Sequence, residues 1–333
     1  MKILRSRKND DLETERLLAA IEADTAANRE DPDPVTCRRV LMLRYRAGVR
    51  LIEAPPADPR PVAPDYAPLP GTGPPPEVTP EELTPELLRG AILRHGCLLV
   101  RGLIDAPTAT RFADEVGQAL AARDSNSNGE SGGAYYEEFA PDPPFRGPVG
   151  RPWVTEVGSL WAADSPPLMF EMLEAFERAG LRELVAGYLG EPGVLSVEKC
   201  TFRRADRESP RAWHQDGKFL GDIGALNVWL SLTRSGEDAP GLDIVPRRID
   251  QLAPTGTPGA LLDWSVAPDV AEQLAGEDGI VRPIFEPGDA LLFDELFLHQ
   301  TGIDPAMAKP RLAIESWFFG ASRFPGTYVP LSF

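Results

Sequence analysis

The pattern of apolar and polar positions divides the chain into two regimes. In the first, apolar residues recur at helical spacing. Leu12, Ala19, Ala23 and Ala26 repeat among charges and predict a helix over 11–29. Residues 37–52 carry Val40, Leu41, Met42, Leu43, Tyr45, Val49, Leu51 and Ile52, which fits either a short helix or a hairpin turning at Ala47-Gly48. From 54 to 85 prolines crowd the chain, including Pro55-Pro56 and Pro74-Pro75-Pro76. Proline lacks an N–H and fixes φ, so this stretch reads as an extended arm or linker rather than helix or central strand. A motif for a proline-recognising partner is the sharper alternative.

Thr84 then reads as an N-cap with Pro85 at the first helical position, and the helix runs to about Arg94 before His95-Gly96. His95 reads as a capping or surface residue beside that glycine. A buried strand over 97–103 and a helix over 108–123 follow, the latter with Phe112, Val116 and Leu120 on one face. Residues 125–133 are polar and glycine-rich and read as a loop. Tyr135, Tyr136 and Phe139, in the long connection that follows, are core anchors or substrate contacts. A single helix is expected over 167–189.

From Val194 the period changes to two. Short strands are expected over 195–202, 210–216, 225–232, 241–246, 290–294, 298–302 and 311–319. A helical segment near 269–274 interrupts the long connection over 251–281, and Pro287-Gly288-Asp289 makes a turn. Many short strands after a helical first half predict a mainly β fold with flanking helices, its core a barrel or a double-sheet jelly roll. The division expected is a helical or extended segment at 1–53, a proline-rich arm at 54–84 and the β domain at 85–333.

Composition narrows the function classes. The chain has 333 residues, enough for one core of about 250 residues or two smaller ones. No run of apolar residues is long enough to span a membrane, and no signal-peptide apolar region follows the basic start. Cys37, Cys97 and Cys200 are scattered, which suits a reducing cytoplasm and argues against a disulfide framework or zinc knuckle. A formal net charge of -17 opposes nucleic-acid and anionic-membrane partners, leaving a small molecule as the expected one. Oligomeric state is left open.

The chemistry gathers around Trp213-His214-Gln215-Asp216-Gly217. In a strand, His214 and Asp216 point to one face and reach one metal. His299 supplies a third ligand from a late strand. Two imidazoles and a carboxylate on three corners of an octahedron form the facial triad of non-haem Fe(II), although zinc accepts the same donors. Arg311, twelve residues past His299, offers a rigid fork for a carboxylate such as the distal group of 2-oxoglutarate. Thr301 points the same way as His299 and donates a hydroxyl to that group. Trp229, which shares a face with Asn227 and Ser231, walls the cavity, and Lys199, its register open, is a further candidate cosubstrate contact.

These pieces resemble the phytanoyl-CoA dioxygenase family of Fe(II)- and 2-oxoglutarate-dependent oxygenases. The matching runs are 213–217, 226–230, 241–246, 287–294, His299-Gln300-Thr301-Gly302 and Arg311, and the resemblance covers roughly 86–320. It implies a double-stranded β-helix, a jelly-roll core of the cupin kind, with helices outside. It implies His214, Asp216 and His299 as iron ligands and Arg311 as the 2-oxoglutarate clamp, with Trp229 and Thr301 as further cosubstrate contacts. The family's usual Pro-Gly-Ser-His is replaced here by Pro246-Arg247-Arg248-Ile249, so the substrate does not carry over. Related halogenases replace the acidic ligand by a small residue; Asp216 is present, which favours hydroxylation. The expected reaction uses O2 and 2-oxoglutarate and releases succinate and CO2. The alternatives are a cupin-type metal-dependent isomerase or lyase, and a catalytically silent barrel that serves as a binding protein.

Overall fold

The structure, a computed structural model, describes residues 2–69, 73–127, 134–146, 150–221 and 223–333. The chain begins with two helices, α1 (Lys2–Glu30) and α2 (Pro34–Glu53). Asp33 caps α2 by accepting from the backbone N–H groups of Val35 and Thr36, and Pro34 occupies the first turn. The choice left open over 37–52 therefore falls to the helix. Gly48 sits inside it for a tertiary reason. A Cβ there would lie 2.8 Å from the backbone of Pro330, in the last strand, which packs directly on α2.

The proline-rich arm is ordered along the domain. Arg60 and Val62 donate to the carbonyls of Gly190 and Gly187, and Asp65 donates to that of Glu86. Its end forms a two-residue strand, β1 (Glu77–Val78), parallel to β2 (Cys97–Val100). Between them α3 (Pro85–His95) is bounded as its local chemistry dictates. The Thr84 hydroxyl accepts from Leu87 N–H, and Gly96 closes the helix at φ +81°.

Next come α4 (Ala106–Ser127), α5 (Pro152–Glu156), β3 (Ser159–Trp161), α6 (Pro166–Arg178) and α7 (Leu181–Leu189). Two expectations change here. The single helix over 167–189 is two helices, because Gly180 turns the chain at φ +73°. Residues 125–127 of the expected polar loop belong instead to α4, and residues 128–133 lie outside the described residues.

The second half holds β4 (Gly193–Ala205), the short α8 (Gly217–Leu220), β5 (Leu226–Ser231), β6 (Gly241–Ile244), α9 (Pro268–Ala275), β7 (Ala290–Phe293), β8 (His299–Gly302), β9 (Arg311–Gly320) and β10 (Pro330–Ser332). A large sheet runs β1-β2-β7-β5-β9-β4-β10, with β3 also on β4; every pairing but β1–β2 is antiparallel. Opposite its inner face, β6 and β8 form a small antiparallel sheet. Isolated bridges at Trp213–Val266, His214–His299 and Ile244–Val281 lengthen that small sheet.

The period-two pattern explains the layers. Leu98, Val100, Val228, Leu292, Ile314 and Phe318 point outward into the core beneath the helices. Their neighbours Leu99, Trp229, Leu291, Phe293, Ala313 and Trp317 point inward toward the small sheet. A sheet buried on both faces has few exposed alternate positions, so its strands read as nearly continuous apolar runs. Among the described residues no helix is long and apolar enough to cross a membrane.

Candidate metal centre

His214 lies opposite His299 across a closed antiparallel bridge. Each backbone N–H donates to the other's carbonyl, at 2.9 and 3.1 Å. Directly opposed residues of an antiparallel pair project to the same face. The two imidazoles therefore meet, with ring centroids 4.4 Å apart. Each Nδ1 faces the carbonyl two residues back, Ala212 at 2.9 Å for His214 and Phe297 at 3.1 Å for His299. A hydrogen bond from Nδ1–H to a carbonyl leaves Nε2 as the lone-pair donor. Asp216 Oδ2 is 3.9 Å from each Nε2, and ligand atoms of all three residues lie within 4.8 Å of one another.

The expected strand over 210–216 does not form as expected. Only Trp213 and His214 are bridged, and Asp216 has helical backbone angles, φ -63° and ψ -23°, just before α8. His214 and Asp216 converge because a turn follows the bridge, not through strand alternation. Gln215 secures that turn. Its amide nitrogen donates to the carbonyls of Leu296 and Gln251, and its oxygen accepts from Ala253 N–H at 2.6 Å. Gly217 N–H also donates to Glu295 O. Replacing Gln215 with leucine strands these buried groups at a cost of about 1–3 kcal/mol. It is expected to weaken metal binding by about 10–100-fold, as loss of an orienting partner does. Thermal denaturation and metal titration of the variant measure both effects.

Burial shapes the electrostatics. Burial, aided by the nearby His214, pushes the His299 imidazole down to about 4, so it is neutral and lone-pair-bearing at neutral pH. Arg311 is 2% exposed. One terminal nitrogen donates to Gly241 O at 2.8 Å, Nε has no partner, and no carboxylate pairs with the guanidinium among the described residues. Burial, with repulsion from Arg203, pulls it down to about 9. A buried cation without an anion is costly unless a ligand supplies one. Arg203, in contrast, is paired with Glu315. Burial opposes ionisation of Glu315, but Arg203 outweighs it and holds the carboxyl well below its usual range.

His214, Asp216, Thr301, Arg311 and Lys199 all line one cavity of about 600 Å³. Lys199 takes the inward register, with Nζ 4.0 Å from Asp216 Oδ1. Trp229 is not in the cavity wall. It stands behind Arg311, whose guanidinium lies 5.2 Å from its ring centroid, and packs on Phe285. Tyr135, Tyr136 and Phe139 do not line the cavity. Phe139 belongs to the helix-side core and meets the Tyr45 ring edge-on. His95 ends α3, half-buried and away from the cluster.

The sequence reading missed Glu315, Arg203, Trp153, Phe219, Trp264 and Tyr328, all of which line the cavity. Glu315 had a signal: it shares parity with Arg311 in an otherwise apolar strand. The aromatics had none, because they reach the cavity from loops and from the short helices α5 and α8.

No family model matches the chain, and no curated protein matches it. Solved structures do. EctD from S. alaskensis with bound Fe is similar at 17% identity and a TM-score of 0.50, over 73% of this chain and 79% of that one. EctD from S. alaskensis with 2-oxoglutarate and 5-hydroxyectoine is similar at 17% identity and a TM-score of 0.50, over 81% of this chain and 86% of that one. At this identity the likeness is one of fold.

Proposed function

We propose that the chain is an Fe(II)- and 2-oxoglutarate-dependent oxygenase that hydroxylates a small organic substrate, built on a double-stranded β-helix of the phytanoyl-CoA dioxygenase kind. The observation that carries this reading is Arg311, a buried guanidinium without a carboxylate partner among the described residues, lining the same cavity as His214 and Asp216 of the N2O donor cluster. The donors suit a hard divalent iron with open positions. The fold of the EctD structures, solved with Fe and with 2-oxoglutarate, adds support.

The chemistry supplied when Fe(II) and 2-oxoglutarate are bound is oxidation of a substrate C–H bond by O2, with release of succinate and CO2. The protein's own groups orient and shield. His214, Asp216 and His299 hold the metal on one face. Arg311 binds the distal carboxylate of 2-oxoglutarate through its fork, Thr301 donates its hydroxyl to the same group, and Trp229 braces the guanidinium from behind. Burial keeps water from that end of the cavity. No general base is needed, and Glu315 is committed to Arg203. The retained Asp216 favours hydroxylation over halogenation. Residues 85–333 form the catalytic unit in this reading, with 1–53 and 54–84 as its supports. The three cysteines are free and buried, in keeping with the cytoplasm.

Anaerobic titration of the apoprotein with Fe(II) and then 2-oxoglutarate tests this reading. A visible metal-to-ligand charge-transfer band is expected, absent in His214→Ala. Stoichiometric iron binding with no band would move the assignment to a cupin-type isomerase or lyase.

A further inference from the structure

The side of the cavity away from Arg311 points to the substrate, on the footing of the oxygenase reading above. Trp153, Phe219, Trp264 and Tyr328 bring aromatic rings to it. Phe219 and Trp264 meet edge-to-face at 5.2 Å. Trp153 and Phe219 remain 39% and 46% exposed. Large aromatic faces left at the rim of a cavity are surfaces for a ligand to cover.

Lys199 rises between those two rims. Its Nζ lies 5.6 Å from the Trp153 ring and 5.7 Å from the Phe219 ring, and the side chain is only 14% exposed. Its nearest carboxylate oxygen, Asp216 Oδ1 at 4.0 Å, is beyond hydrogen-bond reach, and a metal at the triad draws on that same carboxylate. The adjacent Glu198 does not supply the missing anion. Its carboxylate accepts from Ser196 Oγ and Val329 N–H. Arg203 is taken by Glu315. Lys199 is thus held in place and partly desolvated, between two aromatic rings and one long ion pair to Asp216, with no hydrogen-bonded carboxylate among the described residues.

The strand register separates this cation from the cosubstrate clamp. β4 and β9 pair Ala205 with Arg311 and Thr201 with Glu315. Lys199 therefore lies beyond Glu315 in the inward row, with the Arg203–Glu315 pair between it and Arg311. At about 3.3 Å per residue, the stretch from Ala205 to Lys199 is on the order of 20 Å long. The two cations thus enter the cavity from different levels of the sheet, Lys199 beside Asp216 and Arg311 beyond the Arg203–Glu315 pair.

We propose that Lys199, framed by Trp153 and Phe219, is a substrate-anion subsite, and that the substrate is a flat, largely apolar small molecule bearing one anionic group, a carboxylate. A cationic substrate is disfavoured, because the aromatic faces already hold an ammonium. A single ammonium matches a single carboxylate charge better than a phosphate dianion.

Binding of four naphthalene probes to the Fe(II)- and 2-oxoglutarate-loaded protein, held anaerobic, tests this by calorimetry. The probes are 2-naphthoate, 2-naphthamide, 2-naphthyl phosphate and a 2-naphthyl trimethylammonium salt. The expected result is that naphthoate binds about tenfold more tightly than the amide, as one charged hydrogen bond provides. Lys199→Met is expected to erase that preference with its 2-oxoglutarate charge-transfer band unchanged, and Lys199→Arg to keep much of it. Phe219→Ala is expected to weaken naphthoate and amide alike. Equal binding of naphthoate and amide, or no binding of either, would overturn the proposal. So would tighter binding of the ammonium probe, or a Lys199→Met variant that loses the 2-oxoglutarate band instead. Tighter binding of the phosphate than of naphthoate keeps the anion subsite and overturns the choice of carboxylate. Absence of the band in the unaltered protein marks failure of the oxygenase reading itself and is seen before any probe is added.

Discussion

Replacing Arg311 with leucine is expected to abolish tight 2-oxoglutarate binding while leaving the ligand-free protein at least as stable. Arg311 is buried, donates to Gly241 O and has no anion beside it among the described residues. Its folded-state value, about 9, lies well below the ordinary arginine range. For a base depressed by folding the sign is unfavourable. The folded protein carries the cost at every pH below about 9, and the cost fades as pH rises from there toward the ordinary arginine range. An apolar residue of similar volume removes that cost. Replacing buried charge by packed hydrocarbon is neutral or stabilising by about 1–4 kcal/mol, which offsets the lost hydrogen bond to Gly241. Ligand binding moves the other way. Losing one partner of a buried ion pair costs about 3–5 kcal/mol, or about two to three and a half orders of magnitude in Kd. Arg311→Lys keeps the charge without the fork and is expected to fall between. Thermal denaturation without ligand and anaerobic 2-oxoglutarate titration measure the two effects. A large stability loss with affinity retained would make Arg311 a structural residue.

Removing a metal ligand is expected to have the second large effect. His299→Ala and Asp216→Asn should each weaken Fe(II) binding by more than the roughly 100-fold that marks the upper end for orienting partners. In the unaltered protein, metal at a hundred times its Kd is expected to stabilise the fold by about 2.7 kcal/mol, because it binds only the folded state. Neither variant should show that shift at the same metal concentration. The two substitutions differ in their side effects. The His299 ring stacks on Phe297 at 5.8 Å and meets Phe293 at 4.9 Å, so alanine also opens a hole in packed aromatic surface. Asparagine keeps the shape of Asp216 and isolates the loss of a charged ligand. Metal-dependent stabilisation that survives in both variants would place the metal elsewhere.

Much of the architecture was legible wherever local chemistry decides. α3 is an example: a threonine cap, a proline in the first turn and a glycine stop bound it at Pro85–His95, and all three signals are adjacent in the chain. The strands of the large sheet were legible as short apolar runs between turn residues, because both of their faces are buried. Local reasoning ran out at two glycines for opposite reasons. Gly180 breaks what reads as one helix, since apolar periodicity continues across it while its positive φ does not. Gly48 breaks nothing, because a strand far along the chain needs the room its missing Cβ leaves.

The candidate site divides in the same way. Residue type alone established which groups are able to bind a metal and a carboxylate: His214, Asp216, His299 and Arg311. Their approach to one another was not readable from a His-x-Asp spacing. It comes from the backbone bridge between His214 and His299 and from the turn that Gln215 ties to Ala253 and Leu296. Only the fold decided that Arg203 is neutralised while Arg311 is not, and that Lys199 turns inward between two exposed rings. The physical reason is that a side chain's functional groups belong to its residue type. Its burial, its partners and the charge left for a ligand depend on segments that meet only when the sheets close.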